Sequence, residues 1–386
     1  MENSITINEL HLCYTISPDG KELIKYHWHN GDIIELPASI ESVGPFALAN
    51  MKHIKTVILP IGLNSIGKGS FCECSSLQSI VFLGSDHKLA IDKQAFWKCF
   101  SLENINLPKK TTVISDRCFE DCRNLQTLIL PDGVQSIGDF AFKGCNRLTT
   151  IFIGKDTEHI SKSTFDFACS LSAILVHKDN SHFSTYYGIL LRGQNLFRIP
   201  EAFNCNSDTP KKLNNVLKEA LSKCSSIHEG AFHNTNIKYS LIPNNISRIG
   251  YEAFEGCKNL QEIHFQNQSK ITHIGMRTFA NCTNLKLIVI PVGVGIIGYK
   301  AFENCASIKA IYLPSSVWRI HMEAFSNCNA LKMIFFSPVK RGNRHIEKGS
   351  RIILPNNNCK IIVPLEEKDF FEEVFAKNTE NFLLEK

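Results

Sequence analysis

The sequence predicts a β-solenoid, a coil of short repeats stacked one upon the next. Phenylalanine recurs at positions 46, 71, 96, 119, 142 and 165, and again at 232, 254, 279, 302 and 325. The steps are 22 to 25 residues, most often 23, apart from one gap of 67. A common phrase accompanies them. Ala141-Phe142-Lys143-Gly144-Cys145 leads to Leu148, Ile151 and Ile153, and Ala301-Phe302-Glu303-Asn304-Cys305 leads to Ile308, Ile311, Leu313 and Pro314. A fixed period of this length marks units that cannot bury their apolar residues alone and do so by stacking. About eleven to twelve repeats of ~23 residues are expected, with a concave parallel β-sheet, an irregular mid-chain insert and capped ends.

Each part of the repeat has a physical reason. Leu128 and Leu130 are two apart, so they share one face of a short strand. Pro131-Asp132-Gly133 ends that strand, because proline has no N–H to donate and glycine accepts turn geometry. Val134 and Ile137 begin a return leg, and Ala141-Phe142 turns inward again. The next repeat then covers the Leu/Ile row and the Phe, so the phenylalanines form a buried ladder rather than a binding stripe.

The Ala-Phe-x-x-Cys-x-x-Leu-x-x-Ile-x-Leu-Pro phrases are clearest at 141–153, 253–265, 301–314 and 324–336. They resemble the BspA-like, or Treponema pallidum-type, leucine-rich repeat family over roughly residues 35 to 338. Leu125, Leu128 and Leu130 follow the Leu-x-x-Leu-x-Leu strand phrase of leucine-rich repeats. The resemblance implies surface antigens and adhesion proteins that bind host or matrix proteins, and it brings no catalytic residue.

The expected organisation is an N-terminal cap at 1–34, a first repeat block at 35–177, an irregular insert with a degenerate repeat at 178–224, a second block at 225–338, and a basic loop, last strand and capping helix at 339–386. In the insert, turn residues surround the apolar runs Ile189–Leu191 and Leu196–Ile199, which reads as a hairpin. Leu213 to Lys223 reads as a degenerate return leg or a short helix. At the C-terminal end Ile361-Ile362-Val363-Pro364 reads as the last strand. Leu365 to Phe375 follows as an amphipathic helix with Phe371 and Phe375 at i, i+4.

Composition narrows the function classes. The net charge of +5 over 386 residues is a mild excess that does not by itself imply nucleic acid. Met1 to Asn30 has no uninterrupted apolar stretch, and no apolar run of membrane-spanning length occurs, so neither a signal peptide nor a transmembrane segment is expected. Eight of the fifteen cysteines sit three residues after a repeat Phe, with Cys169 displaced by one. No Cys-x-x-Cys pair is present, so a zinc site is not expected. The ladder reads as small buried groups with free thiols. Reduced thiols and the missing leader predict a cytoplasmic location, with the cell surface as the alternative that the resemblance implies. His27 and His29 share one side of a strand but lack a third metal ligand. No nucleophile, phosphate-loop or metalloprotease motif appears, so neither catalysis nor a cofactor is expected.

What remains is binding. The middle outward row of the strands reads Ile58, Val81, Asn106, Ile129, Phe152, Leu175, Leu241, His264, Val289, Tyr312 and Phe335, which is apolar for a surface facing water. Phe152, His264, Tyr312 and Phe335 are the candidate anchors, since aromatic groups dominate interface hot spots. A second row offers Lys286, Lys309 and Lys332 in successive repeats, and Lys340, Arg341, Arg344, Lys348 and Arg351 follow. Their like charges suit an anionic partner, the alternative being a merely solvated charged edge, since surface lysine is common. The expected function is a monomeric, non-enzymatic scaffold that binds a protein on its concave face, and an acidic protein would suit the lysine row. The alternative is a cell-surface adhesin that binds matrix protein or glycan.

Overall fold

The computed structural model describes residues 13–27, 31–84, 86, 88–203, 210–321, 323–338, 359–367 and 382–385. The chain divides into two compact units, Met1–Leu190 and Leu191–Lys386.

In the first unit each turn of the coil carries one longer strand and one short return strand. The longer strands Ile33–Glu35, Thr56–Leu59, Ser79–Phe82 and Asn104–Ile105 form a four-stranded sheet. Thr127–Ile129, Thr150–Ile153 and Ala173–Val176 form a separate three-stranded one. The strand array is therefore not the single run of about eleven that the repeat count suggests. The repeat from Phe71 to Phe96 is 25 residues long. The extra residues follow strand Ser79–Phe82, and only Ser79 and Ile80 pair forward, with Asn104 and Ile105. The return strands make an eight-stranded sheet that starts with the antiparallel hairpin Tyr14–Ile16 and Glu22–Tyr26 and ends at His159–Ile160.

The second unit repeats the plan. Tyr239–Ile242, Glu262–Phe265, Leu287–Val289, Ala310–Leu313, Met333–Phe336, Lys360–Pro364 and Phe382–Glu385 form one seven-stranded sheet. Lys360–Pro364 is thus not the last strand, because Phe382–Glu385 pairs with it in parallel. Leu365–Glu367 is a 3-10 turn rather than the start of an α-helix. The rest of the expected helix, including Phe371 and Phe375, lies outside the described residues, as do His29 and the basic residues from Lys340 to Arg351. In the insert the two apolar runs form strands Ile189–Arg192 and Asn195–Arg198, with Gly193 at φ 55° between them. An α-helix spans Pro210–Ser222.

The core is the ladder of rings. Phe71, Phe96, Phe119, Phe142 and Phe165 are buried and stack with centroids 5.3, 5.2, 5.7 and 5.9 Å apart. Phe232, Phe254, Phe279, Phe302 and Phe325 do the same in the second unit. Phe46 is not a rung: it is 45% exposed, and Leu48, fully buried, takes its place. The spacing explains the difference, since Leu48 precedes Phe71 by the usual 23 residues and Phe46 precedes it by 25.

The turn that presents each Phe has an unusual backbone. The residues two before and two after the Phe often sit at positive φ, as at Arg117 and Asp121 around Phe119, or Lys300 and Asn304 around Phe302. Left-handed backbone costs an L-residue ~1–2 kcal/mol. It is held here by hydrogen bonds to the following turn: Arg117, Phe119 and Asp121 donate their N–H groups to the carbonyls of Asp139, Ala141 and Lys143 at 2.8, 2.9 and 2.7 Å. Turns stack so closely that a Cβ on Gly298 would lie 2.6 Å from the Gly275 carbonyl carbon.

The cysteines do more than fill space. Cys99, Cys122 and Cys145 place Sγ 3.1, 3.2 and 3.2 Å from the carbonyls of Phe71, Phe96 and Phe119, and Cys282, Cys305 and Cys328 repeat the contact in the second unit. Each thiol donates a weak hydrogen bond to the preceding rung. After Phe165 the slot is filled by buried Ala168, which leaves Cys169 exposed. Every cysteine among the described residues is a free thiol.

Candidate binding face

Strand alternation builds the outward face. In Ala310–Leu313, Ile311 and Leu313 are buried while Tyr312 points out, 39% exposed. Parallel pairing carries that position across the sheet: Leu241 aligns with His264, Val289 with Tyr312, Tyr312 with Phe335, and Phe335 with Ile362. Val289 is 57% exposed and Phe335 half-buried. The Tyr312 and Phe335 rings lie parallel at 4.5 Å and 2°. His264 is exposed, its Nε2 lying 3.2 Å from Glu262 Oε2. In the first unit the same position aligns Ile129, Phe152 and Leu175. Ile129 is 68% exposed there, and Phe152 is 39% exposed.

The lysines converge on one line. Lys309 donates its backbone N–H to the Lys286 carbonyl at 3.1 Å, and Lys332 donates to the Lys309 carbonyl at 3.0 Å. Their chains leave the backbone ~4.8 Å apart, the spacing of neighbouring strands. Lys286 in turn donates to Gln261, and Gln261 donates to Lys238. Lys238 therefore extends the column by two positions. The sequence analysis missed it, although counting back one repeat from Gln261 reaches it. All four side chains are exposed. Some charges elsewhere are paired: Glu120 is buried between Arg117 and Lys143 at 3.0 Å each, and Arg277 bridges Glu255 and Glu303. Among the described residues no carboxylate pairs with any of the four column lysines.

Other chemistry is thin on the described residues. No three His, Cys, Asp or Glu side chains converge on a metal-sized site. No described helix is long and apolar enough to cross a membrane. Burial pushes the Cys74 thiol up to about 12 and raises Cys99, Cys118 and Cys122 well above the usual range, so none is an activated nucleophile.

Comparison with known proteins decides the family. The family model described as a BspA type leucine rich repeat region matches residues 25–90, 89–187 and 225–347 in six copies. The chain belongs to the BspA-type leucine-rich repeat family. It is similar to a leucine rich cell surface protein from Faecalibacterium prausnitzii at 27% identity and TM-score 0.64, over 85% of this chain and 93% of that one. A leucine-rich repeat protein from Eubacterium ventriosum matches at 18% identity and TM-score 0.60, over 87% of this chain and 93% of its own. The pneumococcal vaccine antigen PcpA matches at 19% and 0.56, over 97% and 82%. A comparison with curated proteins finds no match. The cytoplasmic expectation draws no support here, since the F. prausnitzii relative is described as a cell surface protein.

Proposed function

We propose that this chain is a protein-binding scaffold and that its partner lies on the outward, concave side of the strand sheet. One observation carries the reading: the exposed row Val289, Tyr312 and Phe335 runs beside the unpaired column Lys238, Lys286, Lys309 and Lys332. An apolar row left in water gains ~25 cal/mol per Å² when covered. A column of like charges gains when an anionic group neutralises it. A partner with both apolar and acidic groups satisfies the two at once. Tyr312 and Phe335 stack on each other, which occupies one face of each ring and leaves their edges to apolar side chains of a partner. Family membership supports the scaffold role.

A second reading is display at the cell surface as an adhesin: the description of the F. prausnitzii relative as a cell surface protein favours the location, and the adhesin role is the one the family resemblance implies. Labelling intact cells with a membrane-impermeant reagent separates the two locations, because only a displayed chain is modified before lysis. Affinity capture with wild-type protein and with a Tyr312→Ser/Phe335→Ser variant tests the face itself. A partner retained by the first and lost by the second supports the reading, and equal retention removes the face from consideration.

A further inference from the structure

The second unit's sheet has a defect that the other outward rows do not explain. Tyr239–Ile242 and Glu262–Phe265 pair over four residues, as do Ala310–Leu313 and Met333–Phe336. Between them, Glu262–Phe265 and Leu287–Val289 pair only through Glu262 with Leu287 and Ile263 with Ile288. Beyond Ile263 the two strands separate. The cause is length: Phe254 and Phe279 are 25 residues apart rather than 23, and the extra residues lie in the loop 266–270. The loop turns through Gln268 at φ 59°, a left-handed conformation that a glutamine adopts only at a cost. A groove of about 750 Å³ opens between the diverging strands.

The two walls of the groove differ in chemistry. One presents Gln266, Asn267, Gln268 and Ser269, and the other Leu287, Val289 and Val292, the last 78% exposed. Gln266 Oε1 accepts the Asn244 backbone N–H at 3.1 Å, and Ser269 Oγ accepts that of Ile271 at 3.4 Å, which holds the polar wall in place. Among the described residues the exposed amides of Asn267 and Gln268 have no hydrogen-bond partner, so their donors and acceptors are available to a ligand. Two charged residues flank the mouth: Glu262, whose Oε2 lies 3.2 Å from His264 Nε2, and Lys286 on the opposite strand.

We infer that this groove is a carbohydrate subsite for an uncharged sugar unit. A pyranose has an edge of hydroxyls and a flat C–H face, which matches one wall of amides and hydroxyls and one of aliphatic carbon. The Glu262 carboxylate at the mouth disfavours strongly anionic sugars, and the volume lies within the range of ~300–1,000 Å³ typical of small-ligand sites. The groove borders the partner face and shares Val289 and Lys286 with it, but the inference does not rest on protein binding by the Tyr312 row, because the groove takes a different class of ligand.

The test uses the full chain and a panel of neutral oligosaccharides, namely chitotriose, cellotriose, maltotriose and lactose, read by saturation-transfer NMR and titration calorimetry. At least one is expected to bind. Val292→Trp, which fills the groove from an exposed position, should weaken that binding by about tenfold or more. Asn267→Ala/Gln268→Ala should weaken it several-fold, and Tyr312→Ser should leave it unchanged. Unaltered thermal midpoints confirm that the variants fold. Absence of binding across the panel, equal binding by the Val292→Trp protein, or binding confined to acidic peptides or acidic sugars overturns the inference. Protein capture that survives Val292→Trp while sugar binding is lost distinguishes this site from the partner face.

Discussion

At the scale of the residue, the fold depends on which side chain occupies each slot of the turn. Leu48 and Phe46 make this concrete. Leu48→Ala removes a buried rung and should cost ~2–5 kcal/mol. Phe46→Ser alters an exposed residue and should shift stability by under ~1 kcal/mol. Chemical denaturation of both variants checks the register, and the reverse order would place Phe46 in the ladder. The turn makes a second demand. Gly144 sits at φ 70°, and a Cβ there would lie 2.6 Å from Asp121 Oδ1. Gly144→Ala should therefore lose ~1–2 kcal/mol, which an unchanged denaturation midpoint would contradict. Gly144, Gly256, Asn281, Asn304 and Asn327 all occupy this left-handed position, a pattern visible in the sequence to a reader who asks why Gly and Asn precede the cysteine. The matching position two before the Phe carried no such signal. Arg117, Glu252, Arg277, Lys300 and Glu323 adopt positive φ there because the following turn holds their N–H groups or backbone in place, and that is a tertiary effect.

At the scale of the element, the thiol column links each turn to the one before it. Native protein should release only Cys169 and the partly exposed Cys13 to a thiol reagent among the described cysteines, whereas denatured, unreduced protein should titrate close to all fifteen. Several missing thiols would reveal disulfides and an oxidising environment. The same burial sets a dependence on pH. Cys74 is pushed up from 9.0 to about 12 by desolvation, and burial also raises Cys99, Cys118 and Cys122 well above 9.0. Above pH 9 the unfolded chain loses thiol protons that the folded chain keeps. The unfolded state then binds fewer protons, and stability falls as pH rises, by up to ~1.4 kcal/mol per pH unit for each such thiol. Below pH 9 these groups contribute their full share. Denaturation midpoints measured from pH 7 to pH 11 should therefore drop steeply above pH 9, and a flat profile would mean that the thiols are not buried.

At the scale of the whole molecule, the sequence reading succeeded where periodicity governs and failed where one repeat departs from it. Stacked Phe, Leu and Ile positions recur so often that the solenoid, the family and the strand faces were legible from residues alone. In the sequence the two 25-residue repeats differ from their neighbours only in length, yet the one ending at Phe96 shortens a ladder in the first unit, and the one ending at Phe279 opens a groove in the second. Spacing alone does not say whether extra residues bulge outward or prise strands apart. The lysine column was partly legible, because its backbone alignment follows from the repeat, but the lack of carboxylates beside it emerges only in three dimensions. Replacing Lys286, Lys309 and Lys332 by Ser should weaken association with an acidic partner more at low salt than at high salt, since exposed charges are screened over ~10 Å at 0.1 M. An effect independent of salt would mean that those lysines act by packing.

The central claim is that the row Val289, Tyr312 and Phe335 is the working surface. The most direct test is site-specific photo-cross-linking in native extract, with the cross-linking residue placed in turn at Tyr312 and at Tyr251, an exposed residue of the Phe-bearing turns. The account predicts one protein adduct from position 312, abolished by Phe335→Ser, and none of that mass from position 251. The same adduct from both positions, or from 251 alone, would contradict it.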